Sequence, residues 1–173
     1  LWATPSGAET PAFPEERPFL YPAISPDGTA VAVTIEGVHQ DLWRFDVGRQ
    51  VLARLTSFAS EDFGAVWSPD GRRLAYTSVR QGEDPAAFVK PADSLDGDTR
   101  LAEASFPNAW TRDGDALIVT TQRTEGGRER NGLFVVPPAG GVLRALGATR
   151  YDRYGATLSP DGRRLAFVSV EAG

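Results

Sequence analysis

Apolar residues in this chain come in short runs separated by polar turns. From residue 23, AISPDGTAVAV sets two such runs on either side of Ser25-Pro26-Asp27-Gly28. The arrangement returns as AVWSPDGRRLAYTS at 65–78 and ATLSPDGRRLAFVS at 156–169, and in altered form as NAWTRDGDALIVTT at 108–121. After each turn, apolar residues fall two apart: Val31 and Val33, Leu74 and Tyr76, Leu117 and Val119, Leu165 and Phe167. Residues two apart share one face of a strand, so each phrase predicts a β-hairpin presenting the same apolar face. The turn residues fit. Pro26, Pro69 and Pro160 preset φ at the second position. Asp27, Asp70, Asp113 and Asp161 can bond nearby backbone N–H groups at the third. Gly28, Gly71, Gly114 and Gly162 can take the left-handed conformation that returns the chain. Arg112 stands where the third turn lacks its proline, which predicts a less rigidly preset turn there.

The turn aspartates recur at intervals of 43, 43 and 48 residues. Each hairpin is followed by a polar loop, an aromatic-bearing strand (DLWRFDV, AAFVKPA, GLFVVPP), another turn and a short last strand (VLARLT, DTRLAE, VLRALG). A period in the forties built from four short strands predicts an all-β chain of four-stranded antiparallel propeller blades. The expected partition of the single segment 1–173 is the last two strands of a preceding blade at 1–19, whole blades at 20–62, 63–105 and 106–153, and the first two strands of a following blade at 154–173. Leu1-Trp2 takes the place that Leu42-Trp43 has later. This partial propeller, three whole blades and two halves, reads as a piece of a longer protein whose other blades complete it. The competing reading is a closed four-bladed ring in which the two halves pair.

Glycine and proline are plentiful and fall at the turns, and 41% apolar and 24% charged residues are ordinary globular values. No apolar run approaches the roughly 20 residues of a membrane-spanning helix. The net charge is −5 and Lys90 is the only lysine. That balance argues against a nucleic-acid partner, which needs a basic patch. No cysteine is present, so disulfides and thiolate chemistry are excluded. The bias to arginine, with much alanine, glycine and proline, points to a GC-rich bacterial genome.

The SPDGxxLAF phrase resembles the repeat of TolB-like β-propellers, a branch of the WD-type propellers, and the likeness runs along essentially the whole chain. Such repeats occur in periplasmic TolB proteins, in propellers of prolyl-oligopeptidase-type peptidases, and in regions attached to bacterial serine/threonine kinases. The run from ETPAFPEERPFLYPAISPDG to VKPAD resembles the kinase-attached group most closely. The resemblance implies a non-catalytic propeller that recognises or senses a protein or small-molecule ligand, beside a kinase domain. Its alternatives are the gating propeller of a serine peptidase or a TolB-like periplasmic interaction protein. It favours a bacterial, extracytoplasmic or periplasmic location.

Candidate chemistry is sparse. His39 is the only histidine and there is no cysteine to complete a metal cluster with it. No GxSxG elbow, HRD, DFG or phosphate-cradling glycine loop occurs. The expectation is no catalytic, metal or cofactor site. DSLDGD at 93–98 is acidic but lacks the ordered ligands and closing glutamate of a calcium loop, and reads as a turn between the last two strands of its blade. Trp67 and Trp110 share one register with Ile24 and Leu158, which marks packing between blades. Binding is expected on loops opening to one side. The candidates are His39, Gln81, Arg123, Arg128 and Arg130 in second-to-third-strand loops, and Asp62, Tyr151, Asp152 and Arg153 between blades. Glu61, Asp62 and Asp152 are the only acids that would serve as a carboxylate pair.

Overall fold

Three of the four predicted hairpins become the first halves of four-stranded sheets, and the last stands as a two-stranded sheet, in the computed structural model, which describes all residues except 14, 15, 58, 126, 148–150, 172 and 173. Every regular element among the described residues is a strand. The first sheet comprises β1 (Trp2–Ala3) and β2 (Glu9–Thr10); the second β3 (Phe19–Ile24), β4 (Ala30–Glu36), β5 (Gln40–Asp46) and β6 (Val51–Arg54). The third contains β7 (Ser60–Trp67), β8 (Arg73–Arg80), β9 (Ala86–Pro91) and β10 (Thr99–Glu103). The fourth contains β11 (Ser105–Trp110), β12 (Leu117–Glu125), β13 (Arg128–Val136) and β14 (Arg144–Ala145). The chain closes on β15 (Asp152–Leu158) paired with β16 (Leu165–Val170). All pairs are antiparallel meanders, giving a partial propeller; β1–β2 and β15–β16 stand as separate two-stranded sheets.

The core lies in the seams between sheets. One cluster joins Ala32, Leu42 and Leu55 to Trp67, Leu74, Tyr76 and Phe88; the next joins Ala75 and Val89 to Trp110, Leu117 and Phe134. A seam on each side of a sheet explains why β4 is buried on both faces rather than alternately. The sheets meet through their first strands: β7 packs across β3, β4 and β5, β11 across β7, β8 and β9, and β15 across β11, β12 and β13. Trp67 Nε1 donates to the Ala23 carbonyl at 2.9 Å, and Trp110 Nε1 to the Val66 carbonyl at 3.0 Å.

The turns are built on a hydroxyl. Ser68 Oγ donates to Asp70 Oδ1 at 2.5 Å and accepts from Arg73 N at 2.9 Å; Ser25, Thr111 and Ser159 repeat this with Asp27, Asp113 and Asp161. Gly71 takes φ 69° and Gly114 φ 74°, so the third turn keeps its shape with Arg112 in place of proline. The hydroxyl bond, joined by a backbone N–H bond, holds the Asp27 carboxyl at about 2, and holds Asp70, Asp113 and Asp161 below the usual carboxylate range. The turns also touch one another. Added Cβ atoms on Gly71, Gly114 and Gly162 would stand 3.8, 3.7 and 3.1 Å from Pro26 Cδ, Pro69 Cδ and Arg112 Cβ of the preceding turn.

Candidate functional site

The residues named from the sequence do not form one constellation. His39 lines a cleft of about 510 Å³ with Arg17, Trp43, Asp41 and Arg54. Its Nδ1 is 3.4 Å from Glu61 Oε1, while Glu61 Oε2 accepts from Gln40 N at 2.9 Å. Asp152 repeats that device two seams further on, where its Oδ1 accepts from Asn131 N at 2.7 Å. Glu61 and Asp152 thus each bind a backbone N–H on the third strand of the preceding sheet, Gln40 at the start of β5 and Asn131 within β13.

Asp62 lies within β7 and is only 1% exposed. Ser60 Oγ donates to its Oδ1 at 3.0 Å, and Oδ2 has no partner at hydrogen-bond distance among the described residues. Burial pushes the Asp62 carboxyl above the usual range, and the hydroxyls of Ser78, Thr56 and Ser60 offset only part of that.

Arg123, Arg128 and Arg130 lie on strands. β12 and β13 continue pairing to Glu125↔Arg128, so the predicted loop is a hairpin extension. Arg123 faces Arg130 across it and lays its guanidinium over the Phe134 ring at 4.2 Å. Arg128 is exposed. Arg153 lies over Phe167 at 5.3 Å, Tyr151 is half-buried at the entry to β15, and Gln81 is exposed in a turn closed by Glu83 N to Arg80 O at 2.9 Å. The loop stretches 57–62, 123–131 and 149–154 each include residues outside the described set.

Two features escaped the sequence reading. The first is Lys90, whose side chain is fully buried in the seam between the second and third sheets. Its Nζ donates to the carbonyls of Leu55 and, at 3.2 Å, Leu95, and sits 3.7 Å from Asp98 Oδ1, which accepts from Tyr76 Oη at 2.7 Å. Burial pushes the Lys90 ammonium down and the Tyr76 phenol up.

The second feature is a stripe on the first strands. Phe63, Phe106 and Tyr154 occupy one register, with Leu20 at the same place in β3 and Tyr21 beside it. Tyr21 is 57% exposed, Tyr154 42% and Phe106 37%, while Phe63 is half-buried. The stretches around them, FLYPAIS, FGAVWS, FPNAWT and YGATLS, contain no charged residue. In an acidic chain, an uncharged, partly exposed aromatic stripe at the edge where sheets converge is a surface suited to apolar side chains. The sequence signal was present as aromatics recurring with the turn period. Among the described residues no group of three His, Cys, Asp or Glu side chains could hold a metal ion, and no helix is long and apolar enough to cross a membrane.

A family model described as TolB beta propeller domain matches residues 18–173. A TolB homologue of Chlorobium luteolum is 31% identical over 129 residues, covering 75% of this chain and 28% of the relative. An uncharacterized peptidase of Bacillus subtilis, YuxL, is 23% identical over 189 residues, covering 84% of this chain and 28% of the relative. The chain therefore spans little more than a quarter of the length of these curated relatives. Among solved structures, TolB from Acinetobacter baumannii superposes with a TM-score of 0.72 at 23% identity, over 91% of this chain and 39% of that one, a likeness of fold.

Proposed function

Because this chain belongs to the TolB β-propeller family, we propose that it is a non-catalytic recognition propeller that takes up a protein partner along the inner edge of its first strands. The aromatic stripe through Phe63, Phe106 and Tyr154 carries this reading: it is uncharged, partly exposed and held on strands tied by Trp67 and Trp110 and, for β15, by the bond from Ala156 N to Asn108 Oδ1. A rigid scaffold presenting half-exposed rings supports binding of apolar side chains with little ordering cost. Likeness to TolB homologues supports an extracytoplasmic location.

The test is selection of a displayed peptide library on the purified chain and on a Phe63→Ser, Phe106→Ser, Tyr154→Ser variant. Enrichment on the wild type that the variant abolishes supports the reading. Equal retention by both, or no enrichment, overturns it.

A gating propeller of a peptidase is the second reading, supported by the likeness to YuxL. A flanking GxSxG-bearing hydrolase domain would decide for it, and flanking HRD and DFG motifs for the kinase attachment expected from the sequence.

A further inference from the structure

We infer that Tyr21 is a specificity residue, kept in a strained backbone conformation so that its ring and that of Phe63 form one contact surface for a ring-bearing side chain (tryptophan, phenylalanine or proline) of the partner. This rests on the recognition reading and names the chemistry of part of that site.

The first strands share an irregularity. Pairing shifts between Leu20 and Ala23, Phe63 and Val66, Pro107 and Ala109, and Tyr154 and Thr157. Such bulges re-aim the neighbouring side chain. In β7 and β15 the bulge contains a left-handed glycine, Gly64 at φ 68° and Gly155 at φ 63°. In β3 the equivalent residue is Tyr21, at φ 49°. An L side chain is strained there, and a bulky one especially so. Core packing does not account for the residue, because Tyr21 is more than half exposed. Its ring stands 6.0 Å from the Phe63 ring at an interplanar angle of 35°. Backbone strain on an exposed aromatic residue, beside a second ring, points to recognition. Around the two rings Leu20, Pro22, Ala23, Gly64 and Ala65 carry no charge, and the adjoining Asp62 is only 1% exposed, so the surface selects for a neutral planar or cyclic group.

The probe is N-acetyl-tryptophanamide, followed by NMR titration against the intact chain, with N-acetyl-valinamide as the aliphatic control. The wild type should prefer the tryptophan probe at least five-fold. Tyr21→Gly should melt no lower than the wild type, since glycine accepts φ 49°, yet bind the probe at least five-fold more weakly. Tyr21→Phe should keep the wild-type affinity. Unchanged binding in Tyr21→Gly, a lower melting temperature in that variant, or equal affinity for the valine probe would each overturn the inference. Loss of library peptides in the triple stripe variant together with unchanged binding in Tyr21→Gly would sink the role of Tyr21 while leaving the recognition surface standing.

Discussion

The indole N–H of Trp67 reaches 2.9 Å across a seam to the carbonyl oxygen of Ala23, so the first strand of one blade is pinned to the first strand of the next by a side chain rather than by sheet pairing. Trp67→Phe keeps most of the packing and removes this bond. The expected loss is about 1 kcal/mol, read as a lower urea midpoint with an unchanged m-value.

The turn hydroxyls should matter according to how deeply they are buried. Ser68 is fully buried, whereas the Ser159 turn sits nearer solvent. Ser68→Ala strands the Arg73 N–H and should cost about 1–3 kcal/mol, against under about 1 kcal/mol for Ser159→Ala. Thermal melts of the two variants compare them directly, and equal losses would count against the turn mechanism.

Gly71→Val places a β-branched residue at φ 69°. A penalty of about 1–3 kcal/mol is expected from the backbone conformation, since an added Cβ would stand at ordinary contact distance, 3.8 Å, from Pro26 of the preceding turn. Chemical denaturation measures it.

Asp62 gives a pH signature of its own. Burial raises its folded pKa above the ordinary 3.8, so the stability tied to the neutral carboxyl is fully present below that value and is lost as pH rises through the folded pKa. The turn aspartates act in the opposite sense: their folded values are lowered, so their contribution is present above 3.8 and lost in acid. Asp62→Asn removes only the first effect. The melting temperature of Asp62→Asn minus that of the wild type should therefore grow from about pH 4 towards pH 7; a flat difference would contradict the burial argument.

Lys90→Met removes the cation between Leu55, Leu95 and Asp98 and leaves their oxygens without it. Breaking a buried ionic contact in this way should cost about 3–5 kcal/mol. Urea titration of the variant reads the loss.

The blades were legible because Ser-Pro-Asp-Gly turns, apolar pairs and seam tryptophans repeat at a near-constant interval, and a repeat constrains every copy at once. The site was less so, because its residues acquire their roles from distant chain. Nothing local marks Lys90 as buried; its partners Leu55 and Asp98 come from elsewhere in the seam. Asp62 stands in a polar run, and only packing of β7 across the preceding sheet removes it from water. The stretch 123–131 lacks apolar alternation and so reads as a loop, yet backbone pairing between β12 and β13 runs through much of it without needing apolar side chains. In the turns, proline, aspartate and glycine were legible from the sequence, whereas the hydroxyls of Ser25, Ser68, Thr111 and Ser159 that bond each aspartate were not.

The contact of each turn with the one before it makes growth of this architecture one-sided. Thr34 pairs with Leu42, eight residues on, whereas Thr120 pairs with Leu133, thirteen on. The five additional residues of the longest repeat thus enter between second and third strands, at the end away from the stacked turns. An insertion among the turns would break the shim that sets the pitch from blade to blade, while one at the opposite end leaves the stacked turns in place so long as it stays clear of the Gln40–Glu61 and Asn131–Asp152 bonds. Lineages descending from such a repeat can therefore diversify one rim freely while the other stays in step, and a designer grafting a foreign epitope would place it between Glu125 and Arg128.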